Sequence, residues 1–168
     1  ESEEEKEKQP LRKLVEEVVR SYEEVIKEKN AAVTIGNLPD LEVYPNQVRS
    51  LFRSLIDNSL KFSQSNVSPA IVIFSEQVDN RQLKDSGLPH LNKDYFAISI
   101  RDNGIGFDNE FRDKIFQLFR RLHTPDTISG KGIGLAICQR VMTNHNGFIT
   151  ADGKPGSGAT FTVYFPRT

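Results

Sequence analysis

The sequence is poor in the residues that staple small domains or hold metals. It has one cysteine, Cys138, and three histidines, His90, His123 and His145. A single cysteine excludes an internal disulfide and fits a reducing compartment. With so few soft ligands, scattered along the chain, a zinc site is not expected. No apolar run approaches the roughly 20 residues that span a bilayer. The opening residues Glu1-Ser2-Glu3-Glu4-Glu5 carry the wrong charge for a signal peptide. The net charge of -1 gives no electrostatic reason to expect nucleic acid or an anionic membrane surface as partner. These absences point to a cytoplasmic domain without direct membrane contact, although a membrane-anchored parent protein could carry it. What is present is ordinary: 168 residues, 37% hydrophobic and 27% charged, fit one soluble domain with its own core.

Residues 1–9 are charged and without period, and are expected to be a linker from a longer protein. Residues 10–168 carry the folded domain. Leu11, Leu14, Val15, Val18, Val19, Tyr22, Val25 and Ile26 recur at helical spacing and predict one helix lying on a sheet. Residues 31–35 and 41–44 read as short strands. Pro45 then opens a helix over 45–62. Val48, Leu51, Phe52, Leu55, Ile56, Ser59 and Leu60 share one broad side of it, and Ser54, Asn58 and Lys61 form a stripe alongside. A solvated face would explain Lys61. It explains Asn58 less well: asparagine is a mediocre helix former, and on an apolar border it has a hydrogen-bonding duty.

Residues 70–78 are rich in β-formers. In 95–101, Phe96, Ile98 and Ile100 alternate with Ala97, Ser99 and Arg101, a half-buried strand that delivers Asp102 at its end. The polar stretch 80–94, with Gly87 and Pro89, is long for a hairpin connection. A short helix over 109–118 and a loop over 123–130 follow. Helix signals resume at Ile133 and run to His145, with Asn146-Gly147 as the stop. Strands 148–151 and 159–165 close the chain. This order predicts an α+β domain, a two-layer α/β sandwich with a mixed sheet and about three helices on one face.

Two glycine-rich stretches carry the chemistry. Asp102-Asn103-Gly104-Ile105-Gly106-Phe107 fixes a carboxylate, which only accepts hydrogen bonds. In a pocket it would bind the exocyclic amine of adenine and repel the carbonyl of guanine. Gly104 and Gly106 would let the backbone approach a flat ligand. The competing reading is a structural Asp-Asn-Gly turn. Gly130-Lys131-Gly132-Ile133-Gly134-Leu135 puts glycines and free backbone N–H groups at the start of a helix, a phosphate site in type. It has neither P-loop spacing nor a Rossmann context, and a plain hinge is the alternative. Asn58 offers a hard amide oxygen suited to Mg²⁺. Lys61, three residues on, could meet a phosphate.

At this point the motifs resemble a family. Ile56-Asp57-Asn58-Ser59-Leu60-Lys61-Phe62-Ser63 resembles the asparagine box of the catalytic ATP-binding domain of sensor histidine kinases. The Asp102–Phe107 stretch is similar to its first glycine box. Ile115-Phe116-Gln117-Leu118-Phe119-Arg120-Arg121-Leu122 resembles its phenylalanine box, and Gly130-Lys131-Gly132-Ile133-Gly134-Leu135-Ala136-Ile137 its second glycine box. Gly156-Ser157-Gly158-Ala159-Thr160-Phe161 resembles the third. All five occur in the family's order.

The resemblance implies the Bergerat fold with an ATP lid, and ATP and Mg²⁺ as cofactors. It implies that Asn58 ligates Mg²⁺, that Lys61 contacts phosphate, and that Asp102 binds adenine with Thr160 helping through a water. Gly104, Gly106 and Phe107 would belong to the adenine wall. Arg121, with Arg120, would stand in the lid near the γ-phosphate. Lys131, Gly132, Gly134 and Leu135 would hold the phosphates.

Departures from the family pattern are informative. Ser54 stands where the box usually begins with asparagine and where directly hydrolysing relatives carry a glutamate base. Serine cannot act as that base at neutral pH. The turn before the helix is Tyr44-Pro45-Asn46 where aspartate is common. None of the three histidines has the context of a phospho-acceptor. The resemblance therefore implies a catalytic domain alone, a monomer when isolated. Its partners would be a dimerisation and histidine phosphotransfer domain of the same kinase and a response regulator receiver domain. A degenerate nucleotide-binding module that signals by conformation is the rival reading, supported by Ser54; a serine kinase or stand-alone ATPase is a third.

Overall fold

The computed structural model describes residues 4–82, 93–108 and 131–167. Its elements run β1 (Glu7–Pro10), α1 (Leu11–Ser21), α2 (Glu23–Glu28), β2 (Ala32–Ile35), β3 (Asp40–Val43), α3 (Pro45–Lys61) and β4 (Ala70–Val78). There follow β5 (Tyr95–Asp102), α4 (Lys131–Asn144), β6 (Phe148–Lys154) and β7 (Gly158–Pro166). Five strands form one sheet in the order β2-β4-β5-β7-β6. The β2–β4 pair is parallel and the other pairs are antiparallel, so the sheet is mixed. Strands β1 and β3 make a separate antiparallel ribbon.

The apolar periodicities decide which faces meet. Leu11, Leu14, Val15 and Val18 of α1 are buried, as are Val48, Leu51, Phe52, Leu55, Ile56 and Leu60 of α3. With Leu135, Cys138, Val141 and Met142 of α4 they pack on Ile71, Ile73, Ile98, Ile100, Phe161, Val163 and Phe165 of the sheet. The helices thus cover one sheet face. Side chains of opposite parity, Tyr95, Ala97 and Tyr164, form a second small cluster on the other face.

Several boundaries differ from the sequence reading, each for a physical reason. Residues 1–9 were expected to lack structure, yet Glu7–Pro10 are β1, in register with Asp40–Val43. Strand β1 is held by backbone bonds and none of its side chains is fully buried, so it leaves no hydrophobic period. The helix expected over 11–26 breaks at Tyr22. Ser21 Oγ donates to Val18 O at 2.6 Å, and Tyr22 N–H turns to Val19 O at 3.0 Å. A serine that bonds back to its own turn competes with helix propagation. Helix α4 begins at Lys131, two residues before the expected Ile133. Strand β6 runs on to Lys154 because Asp152, Gly153 and Lys154 find partners in Thr160, Ala159 and Gly158. The expected helix over 109–118, the loop over 123–130 and most of the 80–94 loop lie outside the described residues.

The start of α3 also answers the missing aspartate. Tyr44 gives no side-chain cap and the first turn has no acidic residue. Instead Asn46 N–H donates to the Glu4 carboxylate at 2.6 Å. A carboxylate at a helix N-terminus satisfies an orphan donor and faces the positive end of the dipole. The terminal segment supplies what the turn lacks.

A candidate nucleotide pocket

Asp102 ends β5 and shares the parity of Ile98 and Ile100, so it points to the helix layer. Its Oδ2 accepts the Ser59 hydroxyl at 3.0 Å. Its Oδ1 accepts Gly104 N–H at 2.9 Å and Ala159 N–H at 3.2 Å. A carboxylate has about four lone-pair sites. Three are taken, and one on Oδ2 stays open. Burial pushes the Asp102 pKa up, while the bonds from Gly104, Ser59 and Ala159 hold it down. A partly buried carboxylate with an open acceptor site is suited to an N–H donor and unsuited to a carbonyl.

The loop after Asp102 is pinned on every side. Asn103 Oδ1 accepts Ala70 N–H at 2.8 Å, and its Nδ2 donates to Ser68 O at 3.1 Å. Ile105 N–H donates to Phe62 O at 2.9 Å, and Gly156 N–H donates to Ile105 O at 2.8 Å. The glycine positions serve these approaches. A Cβ at Gly104 would lie 2.4 Å from Phe62 O; at Gly106, with φ +69°, it would lie 2.1 Å from Lys154 O. Here the space that the glycines free is filled by the protein's own carbonyls. Phe107 is partly buried and packs over Gly153 toward Phe161, with ring centroids 6.3 Å apart.

Asn58 lies next to Ser59 on α3, at the C-terminal end that meets Asp102. It is 5% exposed, and its buried Nδ2 has no hydrogen-bond partner. An orphaned buried amide costs about 1–3 kcal/mol and calls for an explanation. Oxygen and nitrogen of an asparagine amide are assigned from the hydrogen-bond network, so a flip presents Oδ1 at the same spot. Lys61 is paired with Asp57 at 3.4 Å and its side chain is 55% exposed, poised at the rim. Ser54 lies close to the Cys138 thiol, which burial pushes up to about 12 and which donates to Leu51 O at 3.8 Å.

Some expected residues are placed elsewhere. Thr160 is in register with Arg101 and Asp152. By strand alternation it shares a face with Thr162, whose hydroxyl meets Ser99 Oγ at 2.9 Å, while Phe161 turns to the core. Thr160 therefore faces away from Asp102, and its neighbour Ala159 stands beside the carboxylate. The water-mediated contact expected of Thr160 is not assembled here. Lys131, Gly132 and Gly134 lie in the first turn of α4, whose N–H groups lack intrahelical partners. Leu135 is fully buried, so only its backbone faces that turn's chemistry. Arg120 and Arg121 lie outside the described residues.

His145 is 4% exposed. Its Nδ1 donates to Val141 O at 2.8 Å and its Nε2 accepts Tyr44 N–H at 3.0 Å. With both nitrogens committed inside the fold it is no phospho-acceptor. Gln64 is the residue the sequence did not reveal. Its Nε2 donates to Asn103 O at 3.0 Å and to Gly104 O and Gly156 O at 3.1 Å. No spacing announces such a role, because the three carbonyls come from two loops far apart in sequence. Among the described residues, no three or more His, Cys, Asp or Glu side chains converge to hold a metal. Among them too, no helix is long and apolar enough to cross a membrane.

Comparisons with known proteins bear on the fold and the family. The model of the histidine kinase-, DNA gyrase B- and HSP90-like ATPase family matches residues 44–168. Cyanobacterial phytochrome A of Nostoc sp. is 35% identical over 93% of this chain and 18% of its own length. Phytochrome-like protein Cph1 of Synechocystis sp. is 31% identical over 93% of this chain and 19% of its own. The sensor histidine kinase WalK of Bacillus subtilis is 30% identical over 79% and 20%. The chain thus spans about a fifth of the length of these relatives. Among solved structures, the catalytic domain of histidine kinase ThkA superposes with a TM-score of 0.70 at 22% identity, covering 98% of both chains. Full-length ShkA, solved in complex with AMPPNP, gives 0.72 at 19% identity over 98% of this chain and 32% of its own. These structures share the mixed sheet with helices on one face. The chain belongs to the histidine kinase-, DNA gyrase B- and HSP90-like ATPase family.

Proposed function

We propose that this domain binds Mg-ATP and transfers the γ-phosphoryl group to a histidine on a separate dimerisation domain of its parent kinase. The receiver domain of a response regulator would then take the phosphoryl group. The observation that carries the reading is the joint between β5 and α3: a carboxylate at Asp102 held by Ser59 with one acceptor site open, and the orphaned buried amide of Asn58 next to Ser59. The first selects a base with an exocyclic amine. The second supplies a neutral oxygen ligand of the kind Mg²⁺ takes together with phosphates and waters.

When bound, Mg²⁺ would neutralise charge on the β- and γ-phosphates. Asn58 would orient it, and Lys61, released from Asp57, would add a point charge at the phosphates. The first-turn N–H groups of α4, around Lys131, Gly132 and Gly134, would receive the phosphate chain. Arg121 and Arg120 are assigned the lid position beside the γ-phosphate on motif order. Transfer of this type needs positioning and charge stabilisation more than covalent help. Ser54, a hydroxyl beside the buried Cys138, offers no base for an attacking water, which favours transfer over hydrolysis. The relatives' names, sensor histidine kinase WalK and histidine kinase ThkA, support the same reading.

Calorimetric titration with ATP, with and without Mg²⁺, tests it. Binding that strengthens with Mg²⁺ and is weakened by Asn58→Ala supports the assignment. Affinity indifferent to the metal and to Asn58 refutes it. Mg-ATP binding without transfer to any histidine domain would instead leave the conformational module as the reading.

A further inference from the structure

Gln64 follows the Phe62 cap of α3 and has no role in the pocket assigned above. One Nε2 group has two N–H bonds, yet three carbonyl oxygens lie within 3.1 Å of it. Asn103 and Gly104 belong to the loop leaving β5, and Gly156 to the turn joining β6 and β7. The same two segments meet again on Asp102 Oδ1, through Gly104 N–H and Ala159 N–H. The spacing of the two loops is therefore set twice, once by the carboxylate and once by the glutamine.

We propose that Gln64 is a positioning residue for base recognition, clamping the Asn103–Gly104 loop to the Gly156 turn so that the open acceptor of Asp102 faces the ligand. The inference rests on the reading that this pocket takes an adenine nucleotide. Gln64 acts through Asp102 and does not meet the base.

Two features separate this from plain scaffolding. The main core lies between the helices and the sheet and does not include Gln64; its bond to Gly156 is exposed and those to Asn103 and Gly104 are part-buried. Water can replace an exposed bond at little cost to stability. The carboxylate has no such tolerance: displacing a recognition group by about 1 Å can cost as much as a hundredfold.

The test uses Gln64→Met, which keeps length and removes both donors, and Gln64→Lys, which keeps donors on a stem of similar reach. ADP and GDP are titrated against the parent and both variants. Gln64→Met is expected to weaken ADP about tenfold, as outer-shell supports of binding groups do, with GDP little changed, so that the ADP:GDP preference falls. Gln64→Lys is expected to restore that preference. A preference left at the parent value by Gln64→Met overturns the clamp, even if both affinities drop together. Should Gln64→Met fail to fold, Gln64→Glu replaces it; the carboxylate, facing three carbonyls, must then lose the preference or the clamp is refuted. A parent that binds neither nucleotide defeats the pocket reading and the clamp with it. A parent that prefers ADP no more strongly than Gln64→Met does defeats the clamp alone.

Discussion

Replacing Asp102 by asparagine separates recognition from stability. The side chains are nearly isosteric. The asparagine oxygen can accept from Gly104 N–H and Ala159 N–H, which Asp102 Oδ1 accepts at 2.9 and 3.2 Å. Its NH₂ then lies where Oδ2 met Ser59, and the serine hydroxyl can rotate to accept. The fold keeps its bonds. The ligand side does not, because a donor now faces the exocyclic amine of adenine. A hydrogen bond to a charged group is worth about 1.5–3 kcal/mol, so the affinity for ADP should fall roughly 10- to 150-fold. Guanine presents a carbonyl at that position, so GDP should gain relative to ADP.

Stability should move the other way. Desolvation is the largest influence on Asp102 and raises its folded pKa above the ordinary value of 3.8. The ionised form is therefore disfavoured by the fold. Stability rises as pH falls from the raised folded pKa toward 3.8, and at neutral pH the full penalty is present. Asparagine removes it. Asp102→Asn should show a melting temperature no lower than the parent at pH 7 and lose this component of the acid dependence. Calorimetric titration and thermal melting read both effects. Unchanged ADP affinity, or binding lost only together with a large fall in melting temperature, would refute the reasoning.

Removing the Glu4 carboxylate by Glu4→Ala unbonds Asn46 N–H at the start of α3 and should cost about 1 kcal/mol, a melting shift of about 2–4 °C; an unshifted melt would show the cap to be idle. Burial pushes the pKa of His145 below its usual 6.5, although the bond to Val141 O holds it up, and the neutral ring is the form whose Nε2 can accept Tyr44 N–H. Its contribution is complete above pH 6.5 and is lost as pH falls through the folded pKa. Denaturant unfolding between pH 7 and 5 should show that loss in the parent and not in His145→Gln, and parallel curves would contradict it. Gly158 has φ +99°, and a Cβ there would lie 1.9 Å from Asp102 O. Gly158→Ala should therefore destabilise by roughly 2 kcal/mol or more and abolish ADP binding, since it pushes on Asp102, the residue proposed to read the base; a variant that binds ADP normally would break the link between β7 and Asp102.

The sheet and its covering helices were legible because their signals are periodic. Ile98 and Ile100 alternate, and Leu51, Leu55 and Ile56 recur at helical spacing; burial follows both. Asp102 was legible because a carboxylate between a strand and a glycine turn is an unusual choice. The glycines were legible as close approaches, but not what approaches: Phe62 O and Lys154 O come from elements that only the fold brings near. Thr160 shows the limit of motif reading. A shift of one residue in a strand turns a side chain to the other face, and only the register with Arg101 reveals which face that is. Strand β1 stayed hidden because its charged side chains carry no alternation, and Gln64 because a clamp across two loops has no local signature.

The most direct measurement combines this domain with the histidine-bearing dimerisation domain of its parent protein and γ-labelled ATP with Mg²⁺. The label should appear on that domain as an acid-labile phosphohistidine, fall sharply with Asp102→Asn or Asn58→Ala, and stay absent from this chain, where His145 is locked by Val141 and Tyr44. Label on His145, or tight Mg-ATP binding with no transfer to the partner histidine, would contradict the account.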